Sequence, residues 1–279
     1  MKSLLTLIVF VLASLPASAQ SDLEKIVGTE RAFASLAADK GTKDAFLANL
    51  ADDGLVFVPD RINGKQYWNS RDKSSGLLSW APNYADVSSN GLLGYTTGNW
   101  EYRAKGKDDT PSAFGEFITV WQRMPDGNYK FVVDIGVSHD RPANFSTDVA
   151  APSYPSDPNS KNASAADTAN QFFEMTSKSG ISSAYKTFAA ENVRGYREGG
   201  FPILGKSKFL SVIKKNKGPI SLAKRSVFFQ SADIAYNVNT YTETKPDGTQ
   251  ERGNFMQIWK FINGRWQIVL DVFKPVPQK

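Results

Sequence analysis

The chain contains no cysteine and a single histidine, His139. The absence of cysteine excludes disulfides, thiol nucleophiles, cysteine-ligated metals and a lipid-anchored cysteine. One histidine and no D-x-D-x-D-G loop leave no recognisable set of metal ligands, so the sequence predicts no bound metal and no cofactor. A fold without cross-links must be stabilised by its hydrophobic core.

Long hydrophobic runs are absent beyond the N-terminus. The run from Leu4 to Leu15 is too short to span a bilayer of ~30 Å. Lys2 precedes this run and Ala17-Ser18-Ala19 follows it, which is typical of a secretory signal peptide over residues 1–19, cleaved near Gln20. A buried N-terminal helix is the alternative. We therefore expect a periplasmic or secreted protein without a membrane span.

The charge pattern does not favour a nucleic-acid partner. The formal net charge is +5, and basic runs such as Lys214–Lys217 are short and lack interleaved aromatic residues. We interpret them as a solvated face.

Two stretches of this 279-residue chain repeat each other. GEFITVWQRMPDGNYKFVVD (115–134) is followed much later by GNFMQIWKFINGRWQIVLD (253–271). Between them, residues 140–166 are rich in Pro, Ser, Asn and Asp and lack apolar periodicity, as expected of a linker. A repeat of this length predicts two whole domains, over residues 21–139 and 167–279.

Each copy shows the same order of elements. In the first copy the apolar spacing predicts a helix over Ser21–Lys40, a short helix after Thr42 as N-cap, and a helix after Gly64. The predicted strands are Leu55–Val58, Gly94–Arg103, Gly115–Met124 and Tyr129–Gly136, the last three forming an antiparallel meander.

The central strands are apolar on both faces. Phe117 and Trp121 point to one side of the sheet, while Ile118 and Val120 point to the other. Such a sheet is covered on both faces. The domain's own helices would cover one face, and we expect the second domain to cover the other.

This order of elements resembles the nuclear transport factor 2-like superfamily. Ala51-Asp52-Asp53, the Gly94–Trp100 stretch and Phe131–Asp134 are similar to its SnoaL-like and ketosteroid-isomerase-like branch. The resemblance implies two α+β, cone-shaped domains, each with helices packed on a curved antiparallel sheet around an apolar pocket. It also implies pairing through the sheets, here as an intrachain pseudo-dimer, with a homo-oligomer left open.

The resemblance also permits a test for ketosteroid-isomerase chemistry, which needs a carboxylate base and an acid-plus-tyrosine oxyanion hole. The base, acid and tyrosine positions correspond to Val58, Thr119 and Ala34 in the first copy. In the second copy they correspond to Arg197, Gln257 and Phe173. Because these side chains cannot fill the roles, we reject this mechanism.

Glu30 is the strongest candidate for other acid–base chemistry. It lies on the apolar stripe of the first helix, where a buried carboxyl would need a partner such as Arg103, Tyr102 or Trp100 and would have a raised pKa. The alternative is a solvated Glu30 at the edge of the stripe. His139 ends the last strand, where it would either reach the pocket beside Asp134 or begin the linker.

Aromatic residues found only in the first copy favour a ligand site there. The predicted ligand-binding residues are Glu30, Trp68, Trp80, Trp100, Tyr102, Thr119 and Trp121. Features shared by both copies, including Asp134 and Asp271, are assigned to the fold.

These sequence features lead to three hypotheses for the function. The leading hypothesis is binding of a small apolar or aromatic molecule. The alternatives are a lyase, isomerase or hydrolase using Glu30 with Arg103 or His139, and a non-catalytic assembly module of the cell envelope.

Overall fold

A computed structural model describes residues 17–152, 160, 163–214, 219–223 and 227–277. Residues 1–16 of the predicted signal peptide lie outside these ranges, as does most of the basic run Lys214–Lys217. Within the described ranges, no helix is both long enough and apolar enough to cross a membrane.

The first unit consists of helices followed by a six-stranded sheet. Its elements are α1 (Ala17–Lys40), α2 (Thr42–Asn49), β1 (Leu50–Phe57), β2 (Arg61–Asn63), α3 (Gly64–Asn69), β3 (Leu77–Val87), β4 (Leu93–Arg103), β5 (Ala113–Arg123) and β6 (Tyr129–His139). The strand order is β2-β1-β6-β5-β4-β3. The meander of the last three strands is confirmed, β3 extends it, and β1 joins β6 in parallel.

The helices form where the apolar spacing predicts them, with one difference in capping. Ile26, Phe33 and Ala37 bury one stripe of α1 against the sheet. Thr42 is the first residue of α2 and not its cap; the cap is Gly41, whose φ of 92° suits glycine.

The second unit repeats this order with its own sheet. Its elements are α4 (Ala165–Ser179), α5 (Ile181–Phe188), β7 (Ala189–Arg197), β8 (Ile203–Leu204), α6 (Lys206–Ile213), β9 (Ile220–Leu222), β10 (Val227–Ser231), β11 (Ile234–Thr244), β12 (Gln250–Ile262) and β13 (Arg265–Pro275). The order is β10-β11-β12-β13-β7-β8, with β9 beside β11 and β7 parallel to β13. Asn263 and Gly264 both have positive φ, at 51° and 79°, in the tight turn that joins β12 to β13.

The predicted linker contacts the edge of the first sheet at Ala150. Ala150 pairs with the edge strand β3 through two backbone hydrogen bonds of 3.0 Å, to Ala85 and Asn83. Helix α4 begins at Ala165, capped by the Ser164 side chain, which accepts from the backbone N–H of Asp167 at 3.0 Å.

The predicted fold class is confirmed: two α+β units each place helices on one face of a curved sheet. The other faces of the two sheets share one apolar core. The first sheet contributes Tyr95, Ile118, Val120, Val133, Ile135 and Val137, and the second contributes Tyr236, Val238, Met256, Ile258, Leu270 and Val272. The second domain therefore covers the outer face of the first sheet, as the strand pattern predicts.

A buried ion cluster crosses this sheet-to-sheet interface. Lys260 of β12 places its Nζ 3.3 Å from an oxygen of Asp86 in the first domain and 3.3 Å from an oxygen of Asp233 in the second. It also donates to the carbonyl of Val87 at 3.1 Å. Burial raises the pKa of Asp86, although the Lys260 charge opposes this shift. One ammonium group therefore compensates two buried carboxyls.

Replacing Lys260 should destabilise the folded chain. We expect Lys260→Met to cost about 3–5 kcal/mol of unfolding free energy, because it leaves two buried carboxyls without their cation. Urea denaturation at neutral pH measures this loss. Lys178→Met is the control, since Lys178 pairs with Glu174 in solvent and should change little. Equal losses in the two variants would contradict a role for Lys260 in the interface.

Candidate functional site

A cavity of about 290 Å³ lies in the first domain between its helices and the curved sheet. The lining residues are Phe33, Phe46, Phe57, Val58, Leu78, Trp80, Trp100, Phe117, Thr119, Asp134, Gly136 and Lys274. Most of this wall is apolar. Thr119, Asp134 and Lys274 supply its hydroxyl and charged groups. Such a wall is typical of a small-molecule site.

Two tryptophans, Trp80 and Trp100, face each other across β3 and β4 and form one wall of the cavity. The Trp100 ring lies against glycines of the neighbouring strands. A Cβ atom on Gly115 would come within 2.6 Å of this ring, and one on Gly136 within 3.4 Å. The two glycines therefore allow the indole to lie on the sheet.

Asp134 is the buried carboxyl of the cavity. Thr119 Oγ1 donates to its Oδ1 at 2.8 Å. Burial raises the pKa of Asp134 to about 6, although the hydrogen bond from Thr119 and the positive charge of Lys274 act to lower it. The side chain is therefore poised to exist as either acid or carboxylate near neutral pH.

Lys274 reaches the cavity from the second domain. It belongs to β13, and its Nζ donates to the carbonyl oxygen of Gly136 in the first domain. Its nearest carboxylate oxygen is Oε2 of Glu198, at 3.9 Å. Burial lowers the pKa of Lys274, although the negative charges of Glu198 and Asp134 act to raise it. The site is thus built from both domains.

Glu30 lies behind this wall and not in it. Trp80 Nε1 donates to Oε1 at 2.6 Å, while Thr96 Oγ1 and Trp121 Nε1 donate to Oε2 at 2.5 and 3.0 Å. Burial raises its pKa to about 7, although the hydrogen bonds from Thr96, Trp80 and Trp121 oppose the shift. The expected burial and raised pKa are observed, and a solvated Glu30 is excluded.

The partners proposed for Glu30 are wrong. Arg103 pairs instead with Glu101 on its own strand, with 2.5 Å between Nη1 and Oε1. Trp100 lines the cavity, and Tyr102 lines a neighbouring one of about 290 Å³ together with Trp68. Helical spacing placed Glu30 on the buried stripe, but its partners come from strands distant in sequence.

His139 lies on the opposite face of the sheet from Asp134, so it does not reach the pocket. Its Nε2 is 3.5 Å from Oε1 of Glu116, and its ring packs against Phe201 of the second domain. Burial raises the pKa of Glu116 to about 7, although the charges of His139 and Arg194 oppose the shift. His139 therefore belongs to the interface between the domains.

The remaining predicted residues divide between wall and core. Trp80, Trp100 and Thr119 line the cavity, as does Val58. Trp121 is fully buried beneath the wall, where its indole donates to Glu30 and Thr96. In the described part of the chain, no group of three or more His, Cys, Asp or Glu side chains is arranged to hold a metal ion.

In the second domain, side chains fill the space beside the equivalent carboxyl, and a cavity of about 300 Å³ that remains is lined in part by charged residues and does not reach it. Asp271, the counterpart of Asp134, accepts hydrogen bonds from Tyr185 at 2.5 Å, Gln257 at 3.1 Å and Arg197 at 2.6 Å. The Arg197 guanidinium also packs over Phe273, 4.8 Å from the ring centroid. These residues replace Phe46, Thr119, Val58 and Gly136 of the first domain.

Sequence reasoning missed Asp134 and Lys274 as residues of the site. Because Asp134 has a counterpart in the other copy, the repeat assigns it to the fold. The residues around this carboxyl differ between the copies, and the pairs Val58/Arg197 and Thr119/Gln257 indicate that difference in the sequence. Lys274 is remote in sequence from the rest of the pocket, and only the pairing of the domains brings it there.

No protein-family model and no curated protein matches the chain significantly. Solved structures similar to part of it include a conserved protein from Planctomyces limnophilus, at 20% identity, 40% of this chain, 94% of that chain and a TM-score of 0.34. Another is an NTF-2 like protein of unknown function from Shewanella oneidensis, at 21% identity, 39% of this chain, 97% of that chain and a TM-score of 0.33. A nuclear transport factor 2-like superfamily protein from Salmonella enterica shows 16% identity, with 40% and 89% of the two chains covered and a TM-score of 0.34. The Shewanella and Salmonella proteins are described as members of the superfamily that the sequence resembles.

The hydrogen bonds of Glu30 predict how much stability its replacement costs and which second substitution recovers part of that stability. Glu30→Ala removes the acceptor of the buried Trp80 indole and of the Thr96 hydroxyl and leaves Trp121 with Thr96 alone, and we expect it to cost about 3 kcal/mol or more in urea unfolding. In the second domain, Ala169 is the counterpart and Trp259 donates to Asn237 at 2.8 Å. Adding Thr96→Asn should therefore restore about 1 kcal/mol. A double variant no more stable than Glu30→Ala would contradict this account.

Glu30 should also make stability depend on pH. Its pKa is raised from 4.5 to about 7, so between these values the unfolded chain has lost a proton that the folded chain retains. Its contribution is fully present below pH 4.5 and is lost as pH rises to about 7, on the order of 3 kcal/mol.

Unfolding free energies of the wild type and Glu30→Gln, measured from pH 4.5 to pH 8, isolate this contribution. Asp134 and Glu116 titrate in both proteins, so the difference contains the titration of Glu30 together with its coupling to the charge of Asp134. The wild type should lose more stability with rising pH than the variant. Parallel curves would show that Glu30 does not titrate as described.

Proposed function

We propose that the first domain binds a small apolar or aromatic molecule in its cavity. The observation that carries this proposal is an aromatic-walled space with one buried carboxyl, Asp134, held by Thr119 and neighbouring Lys274. Aromatic rings supply large apolar contact areas, and the few polar groups would orient a single polar substituent of the ligand. A volume of about 290 Å³ suits a small ring compound.

The contrast between the two domains supports this proposal. In the second domain Arg197 and Phe273 occupy the corresponding space and Asp271 has three side-chain donors. In the first domain Val58 and Gly136 stand at those positions and leave the space open. The second domain has a cavity of about 300 Å³ on the other side of Arg197 and Phe273, but its wall carries Glu198, Glu243, Lys245 and Glu251 and does not include Asp271. In the part of the chain that the structure describes, an apolar cavity that reaches the carboxyl position shared by both copies is therefore found in the first domain and not in the second.

The two alternatives receive less support. Both oxygens of Glu30 are occupied by donors and the side chain does not line the cavity, which argues against the enzyme hypothesis based on Glu30. The assembly hypothesis predicts closed pockets and a large exposed apolar patch. The open cavity argues against it, and the exposed large apolar side chains are spread over both domains.

Export remains part of the proposal, supported by the pattern of residues 1–19. We expect the N-terminus of the exported protein to lie near Gln20. N-terminal sequencing of the protein from the periplasm or the medium tests this, and retention of Met1 in the purified native protein would contradict it.

Closing the cavity should abolish ligand binding without unfolding the protein. Val58→Arg copies Arg197, and the new guanidinium should fill the cavity and pair with Asp134. A compound at about 100 times its Kd should stabilise the wild type by ~2.7 kcal/mol, which thermal-shift screening of small aromatic and apolar compounds detects. This stabilisation should disappear in Val58→Arg and weaken in Trp100→Ala.

Ile62→Arg is the matched control. Ile62 is partly exposed like Val58 but does not line the cavity, so this variant should respond to ligands as the wild type does. The proposal fails if no compound stabilises the wild type, or if Val58→Arg folds and responds unchanged.

A further inference from the structure

Lys274 has a position that a purely structural lysine does not need. It lies on the face of β13 that meets the first domain, and its side chain crosses the domain boundary to the cavity wall. The corresponding residue of the first copy is Val137, which is fully buried in the shared core. The lysine is therefore a feature of one copy only, and it ends at the open cavity.

The amine of Lys274 is held by a neutral backbone carbonyl and not by a carboxylate. Nζ donates to the carbonyl oxygen of Gly136, and Glu198 is 3.9 Å away, beyond hydrogen-bond range. By contrast, Nζ of Lys245 lies 2.8 Å from its carboxylate partner Glu243. The charged groups facing Lys274 are Glu198 and, across the cavity wall, Asp134. Burial favours the neutral amine, which is the nucleophilic form of a lysine.

We propose that Lys274 binds an aromatic or conjugated aldehyde or ketone in this cavity as an imine, with Asp134 transferring the proton. The inference rests on the proposed ligand binding and names the chemical class of the ligand. The aromatic wall of Trp80, Trp100 and Phe117 would hold the ring, and the carbonyl would lie between Lys274 and Asp134.

The reaction balances with the groups present. The lone pair of neutral Lys274 Nζ attacks the carbonyl carbon, the π electrons move to oxygen, and that oxygen takes the proton lost by nitrogen. Asp134 in its acid form then protonates the hydroxyl group of this carbinolamine. The C–O bond breaks, water leaves, and the nitrogen lone pair forms the C=N bond. The products are a protonated imine, an Asp134 carboxylate and one water.

The site is electrostatically suited to this product. The protonated imine places a positive charge beside the Asp134 carboxylate that forms with it, and Glu198 is nearby. A buried ion pair of this kind replaces a neutral acid and a neutral amine, so the net charge of the cavity does not change. Thr119 continues to donate to Asp134 throughout.

Reductive trapping tests the inference. The full chain is incubated with cinnamaldehyde and sodium cyanoborohydride, digested, and mapped by mass spectrometry for cinnamyl-modified lysines. We expect Lys274 to carry more than about ten times the label of Lys178, which lies in solvent, because the cavity holds the aldehyde against the amine. Cinnamyl alcohol, which has the same shape but no carbonyl, should compete with the labelling and should itself stabilise the protein in thermal-shift experiments.

Variants separate the possible outcomes. Lys274→Arg keeps the charge and removes the nucleophile, so the cavity label should vanish while Lys178 is labelled as in the wild type. Asp134→Asn should slow the trapping of Lys274 but not that of Lys178.

Label at Lys274 no greater than at Lys178, with cinnamyl alcohol still stabilising the protein, would overturn the imine and leave the proposed binding function intact. If no compound of the ligand screen, cinnamyl alcohol included, stabilises the protein, the binding function fails. Labelling of Lys274 at an unchanged rate in Val58→Arg would show that the reaction does not use the cavity.

Discussion

Burial of the second face of each curved sheet is the constraint on which this structure depends. Strands β5 and β12 carry apolar side chains on both faces, and helices cover only one of them. The remaining faces exclude water by packing against each other, and Tyr95 and Ile118 share a core with Tyr236 and Ile258. The polar contacts that cross the boundary, such as the hydrogen bond from Tyr196 to Thr97 at 3.1 Å, align the two sheets. This alignment brings Lys274 to the cavity of the other domain.

The two copies show different ways to accommodate one buried carboxyl. In the second domain three donors and the Arg197 charge hold Asp271, and the space above it is filled. In the first domain Asp134 has one hydroxyl donor and an open cavity, so its burial raises its pKa. The residue itself is the same in both copies. The chemistry of the carboxyl differs because Val58 and Gly136 leave the space beside Asp134 open, whereas Arg197 and Phe273 fill the space beside Asp271.

Local pattern was sufficient for most of the fold and for part of the site. The 3.6-residue period identified α1, the two-residue period identified β4 to β6, and the repeat supplied the second unit. The same two-residue period separates Asp134 from His139, five positions along one strand, and could have placed His139 on the interface face. The partners of Glu30 and the arrival of Lys274 could not be predicted, because both depend on how distant strands and domains pack.

The pairing of Ala150 with β3 has a consequence for the behaviour of the protein in concentrated solution. Strand β3 ends the first sheet, and its free edge would offer unpaired N–H and C=O groups to the strand of another molecule. The linker occupies the middle of that edge with its own backbone hydrogen bonds at Asn83 and Ala85. The linker between the two domains therefore also protects the edge of β3 from pairing with a strand of another molecule.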